Sequence, residues 1–476
     1  MAEKFYITTT LAYVNAEPHI GFAMESVQAD VVARFHRQMG HDVIANTGTD
    51  EHGAKIYQKA QEAGMSVQDY CDGQMKSFFK LKESLNLDFD NFIRTTDAYH
   101  KLAAQDFWKR CEENGDIYKK NYSIKYCVGC ELEKTETDLV GGRCPLHPNM
   151  EIEIIEEENY FFRFSKYQEK LLELYRNNPK FVVPEKRLNE IRNFVDGGLQ
   201  DFSISRLKSK MPWGVEITGD ENQVMYVWFD ALINYISTLG WPNSDSDFAD
   251  FWPGIQICGK DNLRQQAAMW QAMLFSAGIA NSKQIFINGF VNVGGQKMSK
   301  SLGNVVSPFE IVEKFGVDAA RYLLLTMGDN FGEDMDFTWE RIIEKYNANL
   351  ANGLGNLVSR IVKLSEKSEK FIAQEFFQKT EFSKMMDAME LSRALKYIIM
   401  LVSEANKVID ESKPWELVKS DKIKFEEVMG DLTTRLQEIA ESLIPFMPET
   451  SKKILNSLET KNTNILFERI SVKARE

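Results

Sequence analysis

Four short apolar segments, each breaking into a polar or glycine-rich loop, constrain the fold more than any other feature of the chain. "KFYITTT" (residues 4 to 10) is β-branched and aromatic and predicts a strand. The loop after it leads to Pro18, which can occupy a helix's first turn, where its missing N–H costs nothing. Ala23, Val27, Val31, Phe35 and Met39 then recur every four residues, which predicts an amphipathic helix packing on a sheet, so that residues 5 to about 39 read as a strand, a loop and a helix. Val43 to Ala45 form a second apolar run that ends in "NTGTDEHG", and "IQICGKDN" (255 to 262) and "QIFINGFVNVGGQKMSKS" (284 to 301) repeat the pattern far downstream. Alternating strands and helices of this kind predict an α/β fold with a doubly wound, Rossmann-like parallel sheet. Ligands of such sheets bind beyond the carboxyl ends of the strands, so these four loops are the expected rim of one site.

Residues 116 to 224 interrupt that alternation with a cysteine cluster, the acidic run "EIEIIEEEN" and several aromatics, and read as an insertion splitting the sheet domain. After about 345 the chain turns helical. Leu350, Leu354, Leu357, Val358, Ile361 and Leu364 follow i, i+4, i+7 spacing, which predicts an α-helical bundle. The expected division is therefore 1 to 115 and 225 to 296 for the two halves of the sheet domain, 116 to 224 for the insertion, 297 to 345 for a loop and connecting region, and 346 to 476 for the bundle.

The insertion carries the strongest chemical signal. "CVGC" and "CPLH" place Cys127, Cys130, Cys144 and His147 as two pairs with the same internal spacing, and soft thiolates with one imidazole suit tetrahedral zinc. Four ligands close the shell, which favours a structural knuckle, and Gly141-Gly142 permit the turn between its arms. Six cysteines are too few and too unevenly placed for a secreted disulfide framework. The N-terminus lacks the order of a signal peptide and no apolar run is long enough for a membrane span, so a cytoplasmic protein is expected. The net charge of -13 argues against a wide nonspecific nucleic-acid footprint, yet residues 341 to 476 carry 22 basic against 21 acidic side chains and can meet a polyanion.

"GGQKMSKSLGN" (294 to 304) reads in two ways: a solvated loop with ordinary lysines, or a loop that folds Lys297 and Lys300 over a triphosphate. His19 is likewise either a helix cap or a donor beside an intrinsic anion site, where orphan N–H groups point at the ligand and Gly21 allows close approach. Neither of the common glycine-rich phosphate loops occurs.

Taken together, "PHIGF" and "KMSKS" resemble the HIGH and KMSKS signatures of the class I aminoacyl-tRNA synthetases. "TTTLAYVNAEPHIGF", "GTDEHG", "YVWFDALINYIS", "GKDNLRQQAAMWQAML", "NGFVNVGGQKMSKSLGNVV" and "NANLANGLGNLVSR" are similar to the methionyl-tRNA synthetase family in particular. That resemblance implies methionine activation by ATP, with magnesium, followed by transfer to the 3′-terminal adenosine of tRNA(Met), the initiator included. It implies ATP contacts from His19, Gly21, Phe22, Gly259, Asp261, Lys297 and Lys300, with His19, Lys297 and Lys300 as the catalytic groups. The methionine pocket would draw on Leu11, Tyr13, Asp50, Trp228, Ala231, Leu232, Tyr235 and Gln266. Asn356 and Arg360 match the family's anticodon-reading pair and Trp415 its stacking aromatic, with Pro414 expected to start a helix there. Phe22 replaces the second histidine of HIGH, Gln266 a frequent histidine and Leu232 a frequent proline. No appended C-terminal tRNA-binding domain is seen, so a monomer is expected.

Two other readings remain beside this one. A leucine, valine, isoleucine or cysteine enzyme of the same class is disfavoured by the modest insertion and the closed zinc shell. A noncatalytic tRNA-binding relative is favoured by Phe22 and disfavoured by the intact KMSKS.

Overall fold

A computed structural model describes residues 2–471 apart from 135, 299–302, 329–330, 369–380 and 463. The chain forms two compact units. One comprises Met1–Pro18, Asp42–Lys80 and Phe89–Asn288, the other His19–His41, Leu81–Asp88 and Gly289–Glu476.

The first unit is built on a parallel sheet of seven strands. These are β1 (Lys4–Thr9), β2 (Ala12–Tyr13), β3 (Asp42–Asp50), β4 (Asn91–Arg94), β8 (Val182–Val183), β13 (Ile255–Gly259) and β14 (Gln284–Asn288). Their order is β2-β3-β1-β13-β14-β8, with β4 also on β3. β1 is central: Ile7 is opposite Ala45 on one side and Ile255 on the other. From β1 the chain steps outward to β3 and β4 on one side and to β13 and then β14 on the other, with the two-residue strands β2 and β8 added out of chain order, so the sheet is doubly wound, as expected, and its switch point lies between β1 and β13. The second strand runs well past the apolar Val43 to Ala45. Its polar end, "NTGTD", is held as strand by pairing with β4, from Asn46↔Asn91 to Thr49↔Arg94. Gly48 is required there, because a Cβ would lie 1.9 Å from the Ile93 carbonyl oxygen.

Aromatics fill the space against this sheet. Phe107 and Trp108, on the helix Ala98–Glu113, meet Phe229, and Phe107 stacks on Trp270 at 5.7 Å between ring centres. All four are at most 2% exposed, each worth about 1.5 to 3 kcal/mol of burial. The insertion contributes an antiparallel sheet in the order β6-β5-β7-β9, from β5 (Ile117–Cys127), β6 (Leu132–Lys134), β7 (Glu153–Phe162) and β9 (Phe202–Ser203). It also forms a three-stranded sheet of β10 (Ser205–Leu207), β11 (Glu216–Ile217) and β12 (Asp220–Met225). The long β5–β7 ladder ends at Tyr126, and the next residue, Cys127, closes β5 opposite Leu132 of β6. Between these elements Val182–Val183 returns to the edge of the parallel sheet.

The second unit contains α1 (Ile20–Gln38), a small sheet of β15 (Val291–Val293), β16 (Gln296–Lys297) and β17 (Met335–Phe337), and the C-terminal helices. The expected stripe is buried except at its end: Leu350, Leu354, Leu357, Val358 and Ile361 are at most 1% exposed, on helices Tyr346–Gly355 and Asn356–Ser365, whereas Leu364 is only partly buried. Helices Leu391–Ser412, Lys422–Leu443 and Pro448–Thr460 complete the bundle. Arg321, fully buried, ties this unit together. Its guanidinium donates to Asp30 of α1 at 2.6 Å, to the Leu85 carbonyl at 3.0 Å, and to the carbonyls of Pro445 and Phe446 at 2.9 and 2.8 Å. A planar fork with several donors can join segments so far apart in sequence, where lysine would reach fewer acceptors.

Candidate functional site

In the first unit the carboxyl end of β3 delivers a buried carboxylate with an unmet need. Asp50 pairs in register with Tyr13 of β2 and is 7% exposed, yet its Oδ1 has no hydrogen-bond partner. Burial pushes its carboxyl well above the usual carboxylate range, and repulsion from Asp230 and Glu131 adds to the effect. Those two neighbours are already satisfied: Asp230 by two histidines, Glu131 by the Tyr13 hydroxyl and the Lys55 N–H. A cationic group with N–H donors would supply both the charge and the hydrogen bond that this oxygen lacks.

The histidine pair is a feature the sequence reading did not anticipate. His52 Nδ1 lies 2.5 Å from one oxygen of Asp230 and His100 Nε2 lies 2.8 Å from the other. Although burial opposes ionisation, the two imidazoles hold the Asp230 carboxyl at about 2. Asp230 sits in the short helix Val227–Ala231, so this anchor fixes the segment carrying Trp228 and Ala231 to the loop after Asp50. Asp230→Ala leaves two buried ring nitrogens without an acceptor and should cost about 3 kcal/mol or more. Thermal unfolding checks this; a loss under about 1 kcal/mol would contradict the anchoring role. Because the folded value is depressed, the stabilisation is present above the ordinary value of 3.8 and is lost as pH falls from there through about 2.

Leu11, Ala231 and Leu232 are buried, and Trp228 is half-buried. Tyr235 and Gln266 are brought together: the Gln266 Nε2 donates to the Tyr235 hydroxyl at 2.5 Å. The Gln266 oxygen accepts from Gln256 Nε2 at 3.3 Å, and Ser282 Oγ donates to Gln256 Oε1 at 2.7 Å. An amide at 266 thus orients the tyrosine through groups that do not titrate. Gln266 lies in a π-helical segment, Gln265–Met269, a local widening common at functional sites. At the end of β13, Gly259 faces the Asp261 carboxylate; a Cβ there would stand 2.6 Å from Oδ1.

The predicted knuckle is assembled. The ligand atoms of Cys127, Cys130, Cys144 and His147 lie within 4.8 Å of one another, the one such group among the described residues. Each arm closes the same turn, Cys130 N–H to Cys127 C=O at 3.2 Å and His147 N–H to Cys144 C=O at 3.0 Å. Between the arms Val140 and Arg143 bridge around Gly141 and Gly142, both at positive φ, a two-residue hairpin that only such residues form readily. Gly129 is obligatory too, since a Cβ would lie 2.3 Å from the His147 ring. Three sulfurs and one imidazole nitrogen at this spacing fit a structural zinc. Cys144→Ala is expected to release the metal and loosen residues 127 to 150. Metal analysis of the purified variant tests this; one retained equivalent would contradict the assignment.

In the second unit His19 is the N-cap of α1, and its Nδ1 accepts from the N–H groups of Gly21 (3.1 Å) and Phe22 (3.4 Å). The helix begins at Ile20, so Pro18 precedes the cap instead of lying in the first turn. The expectation that these N–H groups all point at a ligand is corrected: two of them bind the ring that was to assist them. This capping fixes the tautomer, because an accepting Nδ1 leaves the ring proton on Nε2 as a donor. It also clarifies Phe22, whose contribution here is a backbone N–H that any residue but proline supplies. Lys297 belongs to β16, with only its backbone described, and Lys300 lies outside the described residues.

Asn356 is exposed at the start of its helix. On the same helix Arg360 meets Asn406 at 3.3 Å and Asp410 at 2.5 Å. Pro414 opens a helix as predicted, and the next residue, Trp415, is 44% exposed, which is high for an indole.

Family models match nearly the whole chain. The model described as tRNA synthetases class I (M) covers residues 5–151 and 134–362, and the anticodon binding domain of methionyl tRNA ligase covers 359–472. A methionine–tRNA ligase of Caldanaerobacter subterraneus subsp. tengcongensis is 43% identical over 96% of this chain and 74% of its own length. The Rickettsia bellii methionine–tRNA ligase is 39% identical over 99% of this chain and 96% of its own. Among solved structures, Mycobacterium tuberculosis methionyl-tRNA synthetase bound by methionyl-adenylate superposes with a TM-score of 0.88 at 38% identity, covering 95% of this chain and 94% of that one.

Proposed function

The chain belongs to the methionyl family of class I tRNA synthetases, and from that premise we propose how its own residues perform the family's reaction. Its activity is that of a methionine–tRNA ligase. The methionine carboxylate attacks the α-phosphorus of ATP and the bond to pyrophosphate breaks. A hydroxyl of the terminal adenosine then attacks the adenylate's acyl carbon and AMP leaves. Neither step needs a side-chain nucleophile; both need positioning and stabilisation of developing charge.

The unpartnered, buried oxygen of Asp50 is the observation that carries the amino-acid assignment, since an α-ammonium supplies both the charge and the donors it lacks. Tyr13, Leu11, Trp228, Ala231, Leu232, Tyr235 and Gln266 enclose the apolar thioether side chain, which is polarizable and a weak acceptor. His19, through Nε2–H, and the lysines 297 and 300 contact the triphosphate, with Phe22 and Gly21 at the same helix start; magnesium enters with ATP. Gly259 and Asp261 take the adenosine ribose. Asn356, Arg360 and Trp415 read the anticodon of tRNA(Met), initiator included, the exposed indole stacking on an unstacked base. Zinc on the four knuckle ligands leaves no open position, so it serves folding rather than chemistry.

In this reading residues 1 to 115 and 225 to 296 are the catalytic halves, 116 to 224 the knuckle insertion, 297 to 345 the KMSKS and stem-contact region, and 346 to 476 the anticodon-binding domain. Among the described residues no helix is long and apolar enough to cross a membrane. Exchange of pyrophosphate into ATP, run against a panel of amino acids, tests the assignment. Methionine alone should support rapid exchange; exchange with leucine and not methionine, or with none, would overturn it.

A further inference from the structure

We infer that Glu131 is a positioning residue that links the Cys/His knuckle to three segments of the amino-acid pocket. It follows the ligand Cys130 directly and adopts φ +51°, a left-handed conformation that a side chain such as glutamate holds only when its surroundings impose it. It is 5% exposed. Its carboxylate accepts from the Tyr13 hydroxyl at 2.8 and 2.9 Å and from the Lys55 N–H at 2.9 Å. Its main-chain carbonyl accepts from the Tyr226 hydroxyl, and the carbonyl of Gly129, two residues earlier, accepts from the Lys55 ammonium.

These partners sit on β2, on the first turn of the helix Ala54–Glu62 that follows Asp50 and its loop, and on the residue before the helix carrying Trp228. Glycine at 53 is part of the fit. A Cβ there would lie 2.7 Å from the Tyr13 hydroxyl and 3.0 Å from Glu131 Oε2. One residue thus holds the ring of Tyr13 and the entries to the Asp50 and Trp228 segments, and its own backbone is set by the metal ligand beside it. The insertion therefore contributes to substrate recognition as well as to folding, a step that rests on the methionine pocket proposed above.

The test is equilibrium binding of methionine without ATP, alongside zinc content and the KM for ATP. Glu131→Ala should weaken methionine binding tenfold or more, with one zinc retained and the ATP KM within about twofold of the parent, because the lost contacts serve the amino acid alone. Glu131→Gln keeps an acceptor oxygen and should recover most of the affinity. Tyr13→Phe removes only the hydroxyl and should weaken binding by itself, which keeps the inference testable if Glu131→Ala does not fold. Cys144→Ala, which frees the knuckle, should weaken methionine binding, and adding Glu131→Ala to it should weaken binding little further. Unchanged methionine affinity in Glu131→Ala or in Tyr13→Phe, equal losses toward methionine and ATP, or full additivity with Cys144→Ala would overturn the inference. Tyr13→Ala separates the two layers: if it leaves methionine affinity intact, the proposed pocket falls, whereas a loss there beside a normal Glu131→Ala removes the positioning role alone.

Discussion

Asp50→Asn is expected to raise the KM for methionine at least about 30-fold, because losing one partner of a buried charged pair costs about 2 to 5 kcal/mol and 1.4 kcal/mol is tenfold. The same substitution should leave the unliganded protein as stable as the parent or more so. The sign follows from the raised carboxyl: a group whose folded value exceeds its unfolded value opposes folding once pH rises past the unfolded value, and the opposition is complete above the folded one. Above its raised value an ionised Asp50 thus opposes folding, and a neutral amide relieves that cost. Methionine binding in the parent should weaken as pH falls through the raised value, since the ammonium binds the ionised form. In the asparagine variant that dependence should vanish. A variant with normal methionine affinity, or a lower melting temperature with no change in binding, would show that Asp50 is a structural carboxylate.

Lys300→Ala should act on a different quantity. If the ammonium stabilises charge that builds on the phosphates only as the Pα–O bond breaks, the adenylation rate should fall on the order of 10² to 10³, while methionine affinity stays within a factor of two. Single-turnover measurement of adenylate formation separates this from binding. Equal losses in rate and ground-state ATP affinity would make Lys300 an ordinary phosphate contact. Lys297 gives a comparison within the same motif.

Much of this architecture is legible in local spacing. The apolar runs at 4 to 10 and 255 to 262, the four-residue recurrence in α1 and the stripe from Leu350 to Ile361 each carry their own periodicity, and each became the element it predicts. The zinc ligands were legible for the same reason, because two turns of identical spacing build the cluster from either arm. Pairing across the sheet was less so: "NTGTD" has the composition of a loop and becomes strand because β4 lies beside it.

The groups that hold the candidate site were not legible. Asp230 meets histidines 178 and 130 residues away, and Glu131 meets Tyr13 across 118 residues. Arg321 reaches Asp30 across 291 residues. No periodicity marks a side chain whose partner is brought beside it only by the complete fold. His19 shows a subtler limit. Its position at a helix start was evident, but that its ring would cap that same helix, and so fix which nitrogen carries the proton, depends on a rotamer.

Charging of unfractionated tRNA with labelled methionine, in the presence of ATP and magnesium, tests the central claim most directly. The parent chain should esterify methionine to tRNA, a product abolished by Asp50→Asn at low methionine and by Lys300→Ala at any concentration on the same timescale. Stable methionine-independent tRNA binding with no ester formed, or charging with another amino acid in its place, would contradict it.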